Sequence, residues 1–122
     1  MSITADLIRG HTDTIILAAL LDGDSYGYRI NRALGDLSGG KYEFKEATLY
    51  TAFRRLEEEG YITSYWGSEE TGARRRYYSI TPTGREAYDR LMEEWRQASD
   101  LIERLIRFGA RDDGTGTATH RI

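Results

Sequence analysis

The sequence predicts a mainly α-helical chain with one small β-hairpin, and three observations carry that prediction. Before Gly60, apolar residues recur at spacings of three and four in successive segments, the period of helices with one buried face. Two short runs rich in aromatic and β-branched residues then flank a glycine-bounded polar stretch at residues 67–72, the pattern of a hairpin. Beyond it, Thr81 and Pro82 open a long stretch whose apolar residues keep a heptad spacing, which reads as one extended amphipathic helix.

The first predicted helix runs from Ala5 to Leu21, and Asp22-Gly23-Asp24 supplies its stop and turn. Ser25 is suited to cap a second helix, in which Gly27, Ile30, Leu34 and Leu37 line one side and leave Arg29 and Arg32 on the outer side. Ser38-Gly39-Gly40 ends it. After an extended linker bearing Tyr42 and Phe44, residues 46–59 form a third helix with the apolar stripe Leu49, Phe53 and Leu56. Gly60 breaks its C-terminus. The hairpin strands are Tyr61 to Trp66 and Arg75 to Ile80, joined by a loose polar tip. Thr81 caps the fourth helix, and Pro82 stands at its first position, where the missing N–H costs nothing.

That last helix runs to about Phe108. Tyr88, Trp95 and Ile102 fall seven apart, as do Leu91, Ala98 and Leu105, so the two sets interleave as the a and d positions of a dimer seam. The polar stretch from Gly109 to Ile122 cannot bury enough apolar surface to order itself. Helix, helix, turn, helix, hairpin is the order of a winged helix-turn-helix domain. Residues 1–81 are therefore given to that domain, 82–108 to a C-terminal dimerisation helix and 109–122 to a disordered tail.

Composition narrows the function classes. With 122 residues and 39% hydrophobic content, the chain has room for one compact domain plus a projecting element. It contains no cysteine, so neither a disulfide nor a thiolate metal site can form, and a reducing cytoplasm is the natural compartment. The longest apolar run, Ile15 to Leu21, is too short to span a bilayer, and the N-terminus lacks the pattern of a signal peptide. A soluble, cytoplasmic protein with no membrane partner is expected. His11 and His120 are isolated, and no acid, base and nucleophile share a motif spacing. An enzyme is the least favoured class, and no metal or cofactor is expected.

The third helix carries the functional signal. Away from its apolar stripe it offers Thr48, Tyr50, Thr51, Arg54 and Arg55. Hydroxyls can bond phosphate oxygens or bases, and an arginine can bind guanine bidentately for ~1–3 kcal/mol of discrimination. An ordinary solvated helix face is the alternative, and the residues alone weigh the two equally. In the second strand, alternation sends Tyr78 and Ile80 to one face, read as core, and Arg75 and Tyr77 to the other. Arg74, Arg75 and Arg76, beside a glycine turn, are placed to straddle a phosphate strand or reach the minor groove. Pairing with Glu69, Glu70 or the Glu57-Glu58-Glu59 run competes for them. The net charge of −3 runs against a nucleic-acid partner. A winged-helix module that binds protein instead therefore stays open, and whether Arg54 and Arg55 point outward or are tied to glutamates separates the two.

The stretch KEATLYTAFRRLEEEGYITSYWGSEETGARRRYYSITPTGREA holds a TLY helix, an RLExxG exit, a W-G wing and an RRxYYxxT strand, with LLDGDSYGYRINRAL upstream. Across roughly residues 5 to 105 these motifs resemble the PadR family of transcriptional regulators. The resemblance implies a homodimeric repressor on double-stranded operator DNA, pseudo-palindromic, with half-sites about one helical turn apart, ~34–36 Å. The single C-terminal helix is similar to that of the family's small members. Trp95 stands where a multidrug-binding member has the tryptophans that line a flat central pore and stack on planar aromatic drugs.

By the same resemblance Met92 and Ser99 on the last helix, and Leu7, Thr14 and Ala18 on the first, face that slot. A seam of Trp95 and small Ala98 leaves a gap with aromatic walls; Trp95 as a plain dimer-core residue is the alternative. Ser99 replaces an acid of the drug-binding member and Glu58 a lysine, implying less preference for cationic ligands and weaker non-specific DNA affinity. Thr51, where many members have proline, is shared with it. Phenolic acids, or no ligand, are the other effector readings.

Overall fold

The computed structural model describes residues 3–68 and 74–109. Its elements are α1 Ile3–Arg9, α2 Thr12–Ala19, α3 Gly27–Leu37, α4 Glu46–Glu58, β1 Ile62–Ser68, β2 Arg74–Ile80 and α5 Pro82–Arg107. The predicted class holds: a mostly helical chain with one antiparallel hairpin and a long C-terminal helix. The hairpin tip at 69–73 and the predicted tail from residue 110 lie outside the described residues.

The first predicted helix is two helices. The break falls at Gly10 and His11, where glycine is a poor helix former. The Thr12 hydroxyl also donates to the Arg9 carbonyl at 2.9 Å, a bond that competes with the helix ladder. The turn closes with the His11 N–H on the Ile8 carbonyl at 2.8 Å.

Ile16, Leu17 and Leu20 of the α2 region, Ile30 of α3, Leu49, Ala52, Phe53 and Leu56 of α4, and Ile62 and Tyr78 of the hairpin form the core. Fully burying one such large side chain contributes ~1.5–3 kcal/mol. Phe53 and Tyr78 stack at 3.8 Å between ring centroids, which fastens α4 to β2. The stripe predicted for the α3 segment is only partly buried. Leu37, at the last turn of the helix, is 84% exposed and lies on the wall of an apolar groove shared with α1 and α2.

Side-chain bonds fix the turn from α3 to α4. The Asn31 amide donates to the Phe44 carbonyl at 2.9 Å and accepts the Phe44 N–H at 2.9 Å. The Ser38 hydroxyl accepts the N–H groups of Lys41 at 3.1 Å and Tyr42 at 2.9 Å. Ser25, predicted as a helix cap, has a different role. Tyr26 is the residue preceding α3, with no side-chain cap, while Ser25 exchanges backbone bonds with Tyr78 at 3.1 and 2.8 Å. Both a cap and a β-bridge require extended backbone, and here the bridge ties the start of α3 to the hairpin.

The strands pair from Ile62 opposite Ile80 to Ser68 opposite Arg74, so β1 reaches two residues further than the predicted Trp66. Gly60 ends α4 with φ +80°, as expected. Thr81 caps α5 as predicted: its hydroxyl accepts the Gly84 N–H at 2.9 Å and donates to the Gly60 carbonyl at 2.7 Å. A Cβ at Gly84 would stand 2.1 Å from the Tyr61 carbonyl oxygen, so only glycine lets α5 start this close to β1.

The chain divides into two compact units, Met1–Asp89 and Arg90–Ile122. The first turns of α5, with buried Gly84 and Ala87, belong to the former. The helix has 26 residues, about 39 Å at 1.5 Å per residue. No helix among the described residues is long and apolar enough to cross a membrane.

Candidate nucleic-acid interface

The geometry of α4 sorts its five predicted contact residues. Each residue advances about 100° around a helix, so Thr51 and Arg54 lie opposite the buried stripe of Leu49, Ala52, Phe53 and Leu56. Thr48 and Arg55 fall to one flank and Tyr50 to the other. All five have exposed side chains, but two of them have partners. The Arg55 guanidinium pairs with the Asp13 carboxylate of α2. Being exposed, that pair is worth ~1 kcal/mol or less. The Tyr50 ring stands edge-on to Phe53 at 5.4 Å, and a Cβ at Gly27 would come within 2.7 Å of its hydroxyl. Tyr50 therefore also helps to seat α4 against the start of α3. Arg54 and Arg55, treated alike in the sequence, differ in the fold: Arg54 projects from the outer face, whereas Arg55 is tied to an acid.

The arginines of β2 alternate between hairpin faces, as the strand period predicts. Arg74 and Arg76 lie over the Trp66 ring at 5.2 and 5.3 Å. Arg75 lies over the Tyr26 ring at 4.7 Å, and Arg29 of α3 lies over the same ring at 4.9 Å. Tyr77 meets Tyr26 edge-on at 5.3 Å and stacks on Tyr65 at 5.6 Å. The Tyr65 hydroxyl donates to Asp24 at 2.5 Å. Hydrogen bonds from Ser79 and Tyr65 hold the Asp24 carboxyl below the usual carboxylate value, and the bond to Asp24 pushes the Tyr65 phenol up. The Tyr78 phenol is raised by burial. Of the acidic residues predicted to compete for the arginines, Glu57 accepts the Ser64 hydroxyl at 2.6 Å, while Glu69 and Glu70 lie outside the described residues.

Tyr26, Arg29 and Trp66 were not among the predicted contact residues. Trp66 shares a face with Arg74 and Arg76 because it pairs with Arg76, and that register depends on a tip length the sequence leaves open.

The residues predicted for an effector site fall into two sets. On α5, Met92 and Ser99 are half-buried and flank Trp95, which is 44% exposed. The Ser99 hydroxyl donates to its own helix at the Arg96 carbonyl, 3.3 Å away. Asp100 and Glu103 face Arg104 at 3.6 Å and Arg107 at 3.1 Å. In the N-terminal unit, Leu7 is exposed on α1, and Thr14 and Ala18 share a face of α2. Ala18 lines a largely apolar groove of about 700 Å³ with Ile8, Ile15, Ile30, Leu34 and Leu37.

The seam residues of α5 run from half-buried Tyr88 and Leu91 to exposed Ala98, Ile102 and Leu105.

The family model described as Transcriptional regulator PadR-like family matches residues 16–90. The chain is 39% identical over 101 residues to an uncharacterized protein X of Lysinibacillus sphaericus, covering 83% of this chain and 93% of that one. Among solved structures it is similar to a transcriptional regulator from Clostridium thermocellum, with 50% identity, a TM-score of 0.76, and coverage of 84% of this chain and 97% of that one. It is also similar to a PadR family transcription regulator from hypervirulent Clostridium difficile R20291, with 30% identity, a TM-score of 0.67, and coverage of 79% and 98%.

Proposed function

The chain belongs to the PadR-like family of transcriptional regulators, and from that premise we propose that it is a dimeric repressor that binds operator DNA through α4 and the hairpin wing. The observation that carries this reading is the outer face of α4, where Thr51 and Arg54 stand opposite the buried stripe. In a major groove these two would meet base edges, with Thr48 and the Tyr50 hydroxyl towards phosphates. Arg74, Arg75 and Arg76 would follow the backbone or enter the minor groove. Arg55 joins them on release from Asp13, at the small cost of an exposed pair.

Residues 1–81 are the DNA-binding domain, 82–108 the dimerisation helix and 109–122 a tail outside both. Two protomers pair along Tyr88, Leu91, Trp95, Ala98, Ile102 and Leu105, a reading supported by the exposure of Trp95, Ala98, Ile102 and Leu105 in the single chain. The dimer meets a pseudo-palindromic operator with half-sites one helical turn apart. A planar aromatic effector enters between the protomers at Trp95, beside Met92 and Ser99, with Leu7, Thr14 and Ala18 supplying the rest of the slot. This follows the small, multidrug-binding members of the family. Effector and operator oppose one another with a coupling of ~1–3 kcal/mol, which must be reciprocal.

A second reading, a winged helix that binds protein, is favoured by the Arg55–Asp13 pair and the net charge of −3. Fluorescence anisotropy of a duplex from the gene's upstream region, at two salt concentrations and with a planar aromatic dye, separates the readings. Salt-sensitive binding relieved by the dye is the expected result. No binding at low salt, to this or to random DNA, contradicts the repressor and favours the protein-binding module.

A further inference from the structure

We propose that Trp66 is a positioning residue of the wing, a flat platform that holds the guanidinium groups of Arg74 and Arg76 together for a phosphate strand. Trp66 pairs with Arg76 across the hairpin, and both arginines lie over its ring, 5.2 and 5.3 Å from the centroid. The indole is 53% exposed, as are the arginines in large part. It therefore contributes little to the core, and both cations lie over it.

A guanidinium held over a ring by a cation–π contact spends none of its N–H donors on the ring's carbons, so they stay available to phosphate oxygens. Pairing with a carboxylate would occupy those same donors. Tyr78, two positions further along the same strand face, stacks on Phe53 in the core, so the strand that carries Arg76 is anchored. The long arginine side chains have part of their rotamer freedom restricted before DNA arrives. Two like charges gathered on one ring also give an acidic chain, net −3, a local positive spot despite its total. No other tryptophan lies in the N-terminal unit, since the second is Trp95 on α5.

The inference rests on the DNA-binding reading and is tested by a mutant cycle on a duplex that the wild type binds. Trp66→Ala is expected to weaken binding by about tenfold. In an Arg74→Ala/Arg76→Ala background the same change is expected to cost less than about twofold, because its partners are gone. Trp66→Phe, which keeps a ring, is expected to recover most of the affinity. Thermal unfolding of each variant checks that the fold is retained. Equal losses in both backgrounds overturn the positioning role, since Trp66 would then act by itself, and so does an unchanged affinity in Trp66→Ala. A wild type that binds no duplex at low salt is a different failure, one that removes the DNA reading and this role with it.

Discussion

Arg54 and Arg55 are adjacent in sequence but about 100° apart around α4, and that difference decides their roles. Arg54→Ala is expected to weaken operator binding by about tenfold or more with unfolding unchanged. Arg55→Ala removes an exposed pair with Asp13, so stability should fall by ~1 kcal/mol at most and DNA binding should fall less than for Arg54→Ala. Paired titrations of the two variants on one duplex check this, and equal losses would give Arg55 the same weight as Arg54 at the interface. The apolar stripe of α4 was legible because its period is local. Arg55's partner was not, because Asp13 lies 42 residues away and only the packing of α2 on α4 brings it near. Asp24 adds a pH term. Its carboxyl is held low by Ser79 and Tyr65, so the folded state favours the ionised form. That stabilisation is present above the ordinary carboxylate pKa and is lost as pH falls through the depressed folded value. Asp24→Asn should flatten this part of the acid limb in thermal melts followed against pH.

Among the elements, the start of α5 was the most legible, because Thr81 and Pro82 are a local signal with a local mechanism. Thr81→Ala is expected to cost ~1 kcal/mol in denaturant unfolding. Gly84→Ala is expected to cost ~1–3 kcal/mol, because its Cβ would meet backbone rather than a movable side chain. Unchanged stability in Gly84→Ala would mean that α5 need not approach Tyr61 so closely. The break between α1 and α2 was missed because apolar periodicity continues across it, while the Thr12 hydroxyl that helps to open it is a weak signal in sequence. The Ser25 bridge was missed for another reason: its partner is Tyr78, on a strand far along the chain. The wing was read as a hairpin with charged residues, but its aromatic platforms depend on register. A slip of one residue would exchange the two faces, so the Trp66 platform became legible only once Ile62 was seen opposite Ile80.

For the whole molecule, the α5 seam carries the dimer proposal. Ile102→Glu places a charge in an apolar contact and is expected to yield monomers by sedimentation, with operator affinity reduced because two linked half-site contacts become one. A dimer that persists in Ile102→Glu would place the seam elsewhere. Heptad spacing made the stripe legible in sequence, whereas the effector slot was read from resemblance, and its two sets of residues lie in different units of the chain. Total charge is the whole-chain property that runs against the proposal. A net −3 says nothing of where the arginines of α4 and β2 stand, and binding to a phosphate backbone responds to local charge. The most direct measurement is therefore the slope of log affinity against log salt for one operator duplex, wild type beside Arg54→Ala and Arg74→Ala/Arg76→Ala. Each phosphate contact contributes about −0.9 to that slope. A steep wild-type slope that loses about two contacts in the wing variant, with affinity lost in Arg54→Ala, is the expected result. Slopes that are flat, or identical in all three proteins, would contradict DNA binding through α4 and the wing.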